Sequence, residues 1–546
     1  MKKYFEEISF FLNSRFYCVL TILTTVIAYG YAATNISIGV DDVRGQLEIG
    51  EGREVIASGR FSQAILPNLL GYHTEWIENS FAIDVLAVII LMLSAINCCI
   101  LFRKKSKDSL SVIALSVFSS LMLTYPLINE IWEYTHINIC ICMGIFLSTV
   151  VVYAVDDWIA TKWNIGKVIC VSLMMTIVCT SYESVVSVYI FLVFAIIFLA
   201  ILFDTDKWSM RLLIKTGLIY LLILFSGLIG RIVIHKAILV IFHIPYVTNG
   251  AVGISWEINE LGRQLYALIV GWVDMYLLKS IIYFPLTEIV ILGIAYIGLF
   301  VYFLIYSKKY IIAVPGTGIL LSLVILSLLQ GSVTYYRSCQ VFSFFVAFSG
   351  MLLCYVVQKL NKKIIEHVVI IVLCWLCIVQ SVNLNYWLTL NHLRSEEEQR
   401  VICDIGSDLR GGKYDMSKPV VFTGAYWLSD EITELASISK EAIRWKAYSY
   451  VYSKLHNKDY SSVYNNASRK LVQTNVISVI SWALGNQKDM QALFAKQGIS
   501  VGILEDTEIL DEVYEKVYYG KVPIYPKEGY IEEEEKYIAV YMGNQK

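Results

Sequence analysis

The sequence predicts a polytopic α-helical membrane protein of about 11 transmembrane helices, followed by an extracytoplasmic α/β domain. Three observations predict this. The chain of 546 residues is 57% hydrophobic and only 16% charged, with a mean hydropathy of +0.60; a soluble chain of this length carries more charge. The apolar residues are gathered in runs of about 20, the length that crosses a bilayer as helix. Beyond Asn391 the composition turns polar, with Glu396, Glu397, Glu398, Asp404, Asp408 and Arg410 close together. Two domains are therefore expected, residues 1–390 in the membrane and residues 391–546 outside it.

The first apolar run, residues 10–33, is long and lacks a small-residue cleavage pattern, so it reads as a retained anchor. The second, 81–102, ends on Arg103, Lys104, Lys105 and Lys107. Basic loops stay cytoplasmic, so this cluster fixes one side. Asp108 or Ser109 is the expected cap of the third run. The fourth ends near residue 155, and a polar loop with Lys162 and Lys167 follows. The fifth and sixth are joined by a tight turn at Tyr182, Glu183 and Ser184. The seventh ends near residue 234. Residues 235–279 are aromatic and only partly apolar, and read as interfacial helices. Four further runs cover 286–306, 311–330, 341–358 and 364–386.

The basic loops alternate in one phase. The N-terminus and the loops at Arg103, Lys162, Lys207, Lys308 and Lys362 fall inside. The loops at Asp41, Glu130, Glu183, Trp256 and Arg337 fall outside with the C-terminal domain, in an integral cytoplasmic membrane. Arg44, Arg53, Arg60 and Arg337 break the positive-inside pattern. Such exceptions serve a site more often than they serve orientation, although three of the four share one loop and also fit plain surface charge.

In the C-terminal domain, short strands are expected at 418–424, 498–502 and 536–542. Helices are expected at 468–479, 488–497 and 505–516, and a turn at 525–531. The domain has no Gly-rich phosphate loop, no HExxH and no G-x-S-x-G, so it is expected to be accessory, the alternative being a structural cap. No basic stripe with interleaved aromatics marks a nucleic-acid partner. Most of the 12 cysteines lie inside apolar runs and behave as small hydrophobes. Cys374 and Cys377 have a redox or zinc spacing but lie mid-span without a second pair.

The first outer loop, residues 35–71, concentrates the chemistry. Asp41 and Asp42 stand just past the first run, and Arg44, Arg53 and Arg60 follow. A bare ion in hydrocarbon is expensive, so two acids and a basic partner at a membrane boundary indicate a site; the alternative is a solvated loop anchoring the first helix. Glu183 sits near the membrane surface, as a site residue or as the cap of its turn. Arg337 is a phosphate ligand or an interfacial anchor.

An external carboxylate pair, an external arginine and a helical bundle suit glycosyl transfer from a polyprenyl-phosphate sugar. The lipid tail keeps the donor at the membrane edge. A carboxylate takes the proton of the acceptor hydroxyl. An arginine fork matches the oxygens of the leaving phosphate. A divalent metal bridging acids and phosphate fits the same chemistry, since hard cations take oxygen ligands, but no His or carboxylate cluster demands one. No cofactor is required.

Ile38-Gly39-Val40-Asp41-Asp42 at the outer end of the first run, then Gly59-Arg60-Phe61 before the second, resembles the bacterial serotype-converting glucosyltransferases of the GT-C superfamily, which decorate O-antigen with glucose. Tyr335-Tyr336-Arg337 between late runs looks similar as well. The resemblance implies a GT-C-like membrane domain, undecaprenyl-phosphate glucose as donor and a cell-envelope glycan as acceptor. It implies Asp41 and Asp42 as base and substrate-binding candidates, either one taking the base role, and Arg60 and Arg337 at the donor phosphate. Arg44 and Glu183 join them as substrate-binding candidates. Gly39, Val40 and Phe61 depart from the expected pattern, which bears on the identity of the sugar. Two other classes fit a multi-span chain. A lipid-linked glycan flippase places its charges at the midplane and shows repeats, which this sequence does not. An envelope polysaccharide polymerase or ligase carries an arginine-rich outer loop, where the Trp256 loop has only Arg263. A catalytically inactive scaffold is a third.

Overall fold

The computed structural model describes residues 2–35, 37, 39, 53–70, 80–126, 129–132, 135–161, 164–244, 256–272, 286–307, 310–334, 338–436, 442–463, 478–504 and 506–543. The chain divides into two compact units, Met1–Thr34 with Gly52–Tyr386, and Asn35–Glu51 with Trp387–Lys546.

The first unit is helical. Its elements are α1 (Lys2–Asn13), α2 (Arg15–Thr34), α3 (Arg53–Ala57), α4 (Phe61–Leu69), α5 (Ser80–Lys105), α6 (Val112–Thr124), α7 (Asn129–Trp132), α8 (Thr135–Ala160), α9 (Ile165–Ser181), α10 (Val185–Phe203) and α11 (Met210–Ile241). Then come α12 (Leu261–Trp272), α13 (Leu286–Ser307), α14 (Ala313–Ser322), α15 (Ile325–Gln330), α16 (Val341–Lys359) and the start of α17 (Lys363–Arg410). Among the described residues, 7 helices are long and apolar enough to cross a membrane, and α6, α9, Ile291–Ile305 within α13 and Tyr310–Ser322 including α14 add shorter apolar helices. Along α11, Leu218, Leu222, Phe225, Ile229 and Ile232 are all exposed. In water so continuous an apolar face is an aggregation liability, whereas hydrocarbon solvates it.

Four boundaries differ from the sequence expectation, each for a local reason. The first run is broken at Ser14, whose hydroxyl accepts a hydrogen bond from the Tyr17 backbone N–H at 3.4 Å and starts α2 afresh. The cap of α6 is Ser111, which accepts from Ala114 N–H at 3.1 Å. Asp108 sits instead in a left-handed turn, at φ 61°, where it pairs with Arg103 Nε at 2.6 Å. The run at 311–330 is two helices, with Val324 off helical geometry between them. The helix α11 continues to Ile241, because neither Pro nor Gly interrupts residues 231–241.

The elements around the site pack closely. A Cβ at Gly227 of α11 would lie 2.9 Å from the Met175 backbone of α9, and one at Gly230 would strike the Thr176 side chain. These two glycines let α11 lie directly against α9.

The second unit begins within α17, which carries 48 residues without a break, about 72 Å of helix at 1.5 Å per residue. The change from apolar to polar composition is not a change of element, since no Pro occurs in α17 and its first Gly is Gly406. The unit adds β1 (Val420–Thr423), α18 (Asp430–Ala436), α19 (Ala442–Leu455), α20 (Val479–Ala483), α21 (Gln487–Lys496), α22 (Thr507–Tyr518), β2 (Ile531–Glu533) and β3 (Ile538–Tyr541). The sheet order is β1-β3-β2. β1 runs parallel to β3, pairing Val420 with Ile538, and β2 runs antiparallel to it. The expected strand at 498–502 is reduced to an isolated bridge between Val420 and Ile503. Most of the expected helix at 468–479 lies outside the described residues. The core packs Ile402, Ile405 and Leu409 of α17 with Phe422, Phe494, Ile538 and Val540. At Phe422 the free edge of β1 is closed by a side chain. Gln487 donates to the Phe422 carbonyl at 2.8 Å and accepts from its N–H at 2.9 Å.

Candidate active site

The site is built from the turn that ends α3. Gly59 adopts φ +79°, its N–H bonds the Ile56 carbonyl at 2.9 Å, and the Arg60 N–H reaches back to the Val55 carbonyl at 3.0 Å. This is the left-handed helix ending that favours glycine. The position needs glycine for space too, since a Cβ there would stand 3.2 Å from Arg231 Nη2 and 3.4 Å from His235 Nδ1.

The turn throws the chain into α4, which docks on the end of α9. Gln63 is buried and donates to the Ser181 carbonyl at 2.6 Å, a group that the helix end would otherwise leave unpaired. Ser62 and Thr180 pair their hydroxyls. The dock brings Arg60 to Glu183. Arg60 Nε donates to both carboxylate oxygens at 3.1 Å, and its Nη2 lies 3.0 Å from Oε2. The Tyr182 ring lies under the Arg60 guanidinium, 4.8 Å from centroid to Cζ.

A second arginine joins from α11. Arg231 Nη2 stands 3.4 Å from Glu183 Oε1 and 3.4 Å from the Ser58 carbonyl. Side-chain exposures of 23% for Arg60, 13% for Glu183 and 19% for Arg231 put the cluster under partial cover. Glu183 occupies the turn between α9 and α10, as its tight re-entry predicts. Burial pushes its carboxyl up, yet the charge and hydrogen bonds of Arg60 and the charge of Arg231 outweigh burial and leave it below the ordinary carboxylate range. It is ionised at neutral pH.

The structure thus brings together two of the six residues singled out from sequence, Arg60 and Glu183. Asp41, Asp42, Arg44 and Arg337 lie outside the described residues. Sequence reasoning missed Arg231 and His235, read as the end of a span and the start of a loop. It also passed over Asp84, one turn into α5, which is buried and accepts a hydrogen bond from Asn138 of α8. An acid inside an apolar run was the available signal for Asp84, and a lone arginine near the end of one was the signal for Arg231. Among the described residues no group of His, Cys, Asp and Glu is placed to hold a metal ion.

Fold and cluster together define a helical membrane-type protein with an ionic site where helix ends meet. A family model described as Glucosyl transferase GtrII matches residues 30–354, more than half of the chain, and the chain belongs to that family. It is the serotype-converting group that the first-loop motif resembles. The family assignment makes the chain a glucosyltransferase acting in glycan modification. The matched span includes Arg60, Glu183 and Arg231, and also Asp41, Asp42, Arg44 and Arg337. No curated protein matches the chain.

Proposed function

We propose that the protein transfers a hexose, glucose by family, from a polyprenyl-phosphate donor to a cell-envelope glycan. The reaction takes place at the outer face of the cytoplasmic membrane, in a GT-C-type bundle of about 11 spans. The observation that carries this reading is the grip of Glu183 on Arg60. A guanidinium aimed by a half-buried carboxylate, at the end of apolar helices, suits a phosphate whose lipid tail lies in the bilayer.

In the reaction, the acceptor hydroxyl oxygen bonds to the anomeric carbon. The bond from that carbon to the phosphate oxygen breaks, and its electron pair stays on the phosphate. The hydroxyl proton passes to Asp41 or Asp42, one as base and the other on the substrate. Arg60 and Arg337 face the donor phosphate. Arg44 binds substrate, and Glu183 serves substrate through the arginine it orients. Residues 391–546 form an extracytoplasmic accessory domain. Incubating the purified protein in proteoliposomes with an envelope glycan and either polyprenyl-phosphate glucose or a sugar nucleotide tests the donor class. Glucose reaching the glycan from the lipid donor alone supports the reading. Transfer from the nucleotide alone overturns it.

A further inference from the structure

Arg231 is held less completely than Arg60. Both of its contacts use one nitrogen, Nη2, and both are long, at 3.4 Å. Its Nε and Nη1 have no acceptor among the described residues. Arg60, by contrast, gives Nε and Nη2 to the same carboxylate at 3.0–3.1 Å. Within this trio two positive charges face one negative charge, so Glu183 cannot satisfy both forks.

The position of Arg231 is fixed. It follows Gly227 and Gly230, whose contacts with Met175 and Thr176 lock α11 against α9. Arg231 is 21 residues past Met210, the first residue of α11, which is about 32 Å along the axis. The hydrocarbon of a bilayer is about 30 Å thick. A helix entering at Met210 therefore delivers Arg231 to the opposite boundary, the level of lipid phosphates.

We propose that Arg231 is the second arm of a phosphate clamp, closing Nε and Nη1 on the lipid-borne phosphate monoester that sugar transfer leaves behind. This rests on the reading above. The donor is a phosphodiester with one negative charge. Cleavage of its bond to the sugar leaves the electron pair on oxygen, and the product is a monoester that approaches two charges. A fork that Glu183 leaves partly unused meets the charge that develops as that bond breaks, and interactions gained in the transition state raise kcat rather than lower KM. Lys-for-Arg exchange keeps the charge but loses the fork.

The test uses the full chain in phosphatidylcholine nanodiscs. Binding of geranyl monophosphate, inorganic phosphate and phosphatidylglycerol is measured by calorimetry, and kcat and KM for sugar transfer are measured in parallel. Geranyl monophosphate is expected to bind wild type at least tenfold more tightly than inorganic phosphate does. Arg231→Gln is expected to weaken it tenfold or more, and Arg231→Lys severalfold, with kcat falling further than KM rises. Lys236→Gln, on the exposed face of the same helix, is expected to stay within twofold of wild type. If Arg231→Gln does not insert, Arg231→Lys decides alone, and unchanged affinity overturns the proposal. Equal loss in Lys236→Gln shows diffuse attraction and overturns it as well, as does preference for inorganic phosphate or phosphatidylglycerol. A wild type that binds the monoester through Arg231 yet transfers no sugar would sink the proposed function and leave the clamp standing.

Discussion

Arg60 and Glu183, 123 residues apart in sequence, meet with Arg60 Nε donating at 3.1 Å to each carboxylate oxygen. The contact ties the later part of the first outer loop to the turn between α9 and α10.

Removing either partner takes away the closest ion pair of the cluster, and Arg60→Ala leaves Glu183 the longer contact with Arg231 at 3.4 Å. Arg60→Ala and Glu183→Gln are each expected to destabilise the folded protein by about 3 kcal/mol, near the lower end for a buried pair because both groups keep some water contact. The double variant is expected to cost less than the sum. Denaturant melts in a single detergent check this, and strict additivity contradicts the pairing.

The pH dependence follows from the sign of the Glu183 shift. Its folded carboxyl lies below the ordinary range, so the pair's stabilisation is fully present above an ordinary value of about 4.3 and is lost as pH falls through the depressed folded value. The Tm difference between wild type and Glu183→Gln is expected to stay flat from pH 7 to 5 and to shrink below pH 4. A difference that vanishes between pH 6 and 7 contradicts the assignment.

Gly59 is constrained twice, by φ +79° and by the 3.2 Å that would separate a Cβ from Arg231. Gly59→Ala is expected to cost about 1–2 kcal/mol, the range of a residue held in a left-handed conformation. Because the added methyl pushes on Arg231, the variant is expected to lose transferase activity at temperatures where it is still folded. Activity equal to wild type in the folded variant contradicts this.

In the second unit, Gln487 closes the edge of β1 at Phe422. Gln487→Leu leaves a buried N–H and carbonyl unpaired, at about 1–3 kcal/mol each. Hydrogen exchange at Phe422 is expected to accelerate while exchange in α9 and α10 is unchanged. Protection at Phe422 as in wild type contradicts the closure.

Much of this was legible in the chain. Runs of apolar residues located the helices because hydrocarbon imposes a length. The tight turn at Glu183 was visible because two runs meet with almost nothing between them. Arg60 stood out as a charge near a boundary. Arg231 did not, because hydropathy alone ends the span around it near Ile234, although neither Pro nor Gly stops a helix in residues 231–241. Nor did the break at Ser14, since one capping hydroxyl inside an apolar run leaves hydropathy unchanged. The pairing of Arg60 with Arg231 through Glu183 depends on how closely α11 approaches α9, and Gly227 and Gly230 declare that only once their neighbours are known.

The central claim is transfer of a sugar from lipid phosphate to glycan. Its most direct measurement follows radiolabelled undecaprenyl-phosphate glucose in proteoliposomes supplied with an envelope glycan. Wild type is compared with Asp41→Asn, Asp42→Asn, Arg337→Ala and Arg60→Ala, each checked for insertion. Label is expected to move into the glycan, to be abolished in one aspartate variant and to fall at least tenfold in Arg60→Ala. Label that crosses the bilayer without forming a glycosidic bond would contradict the account and identify a lipid-linked sugar transporter.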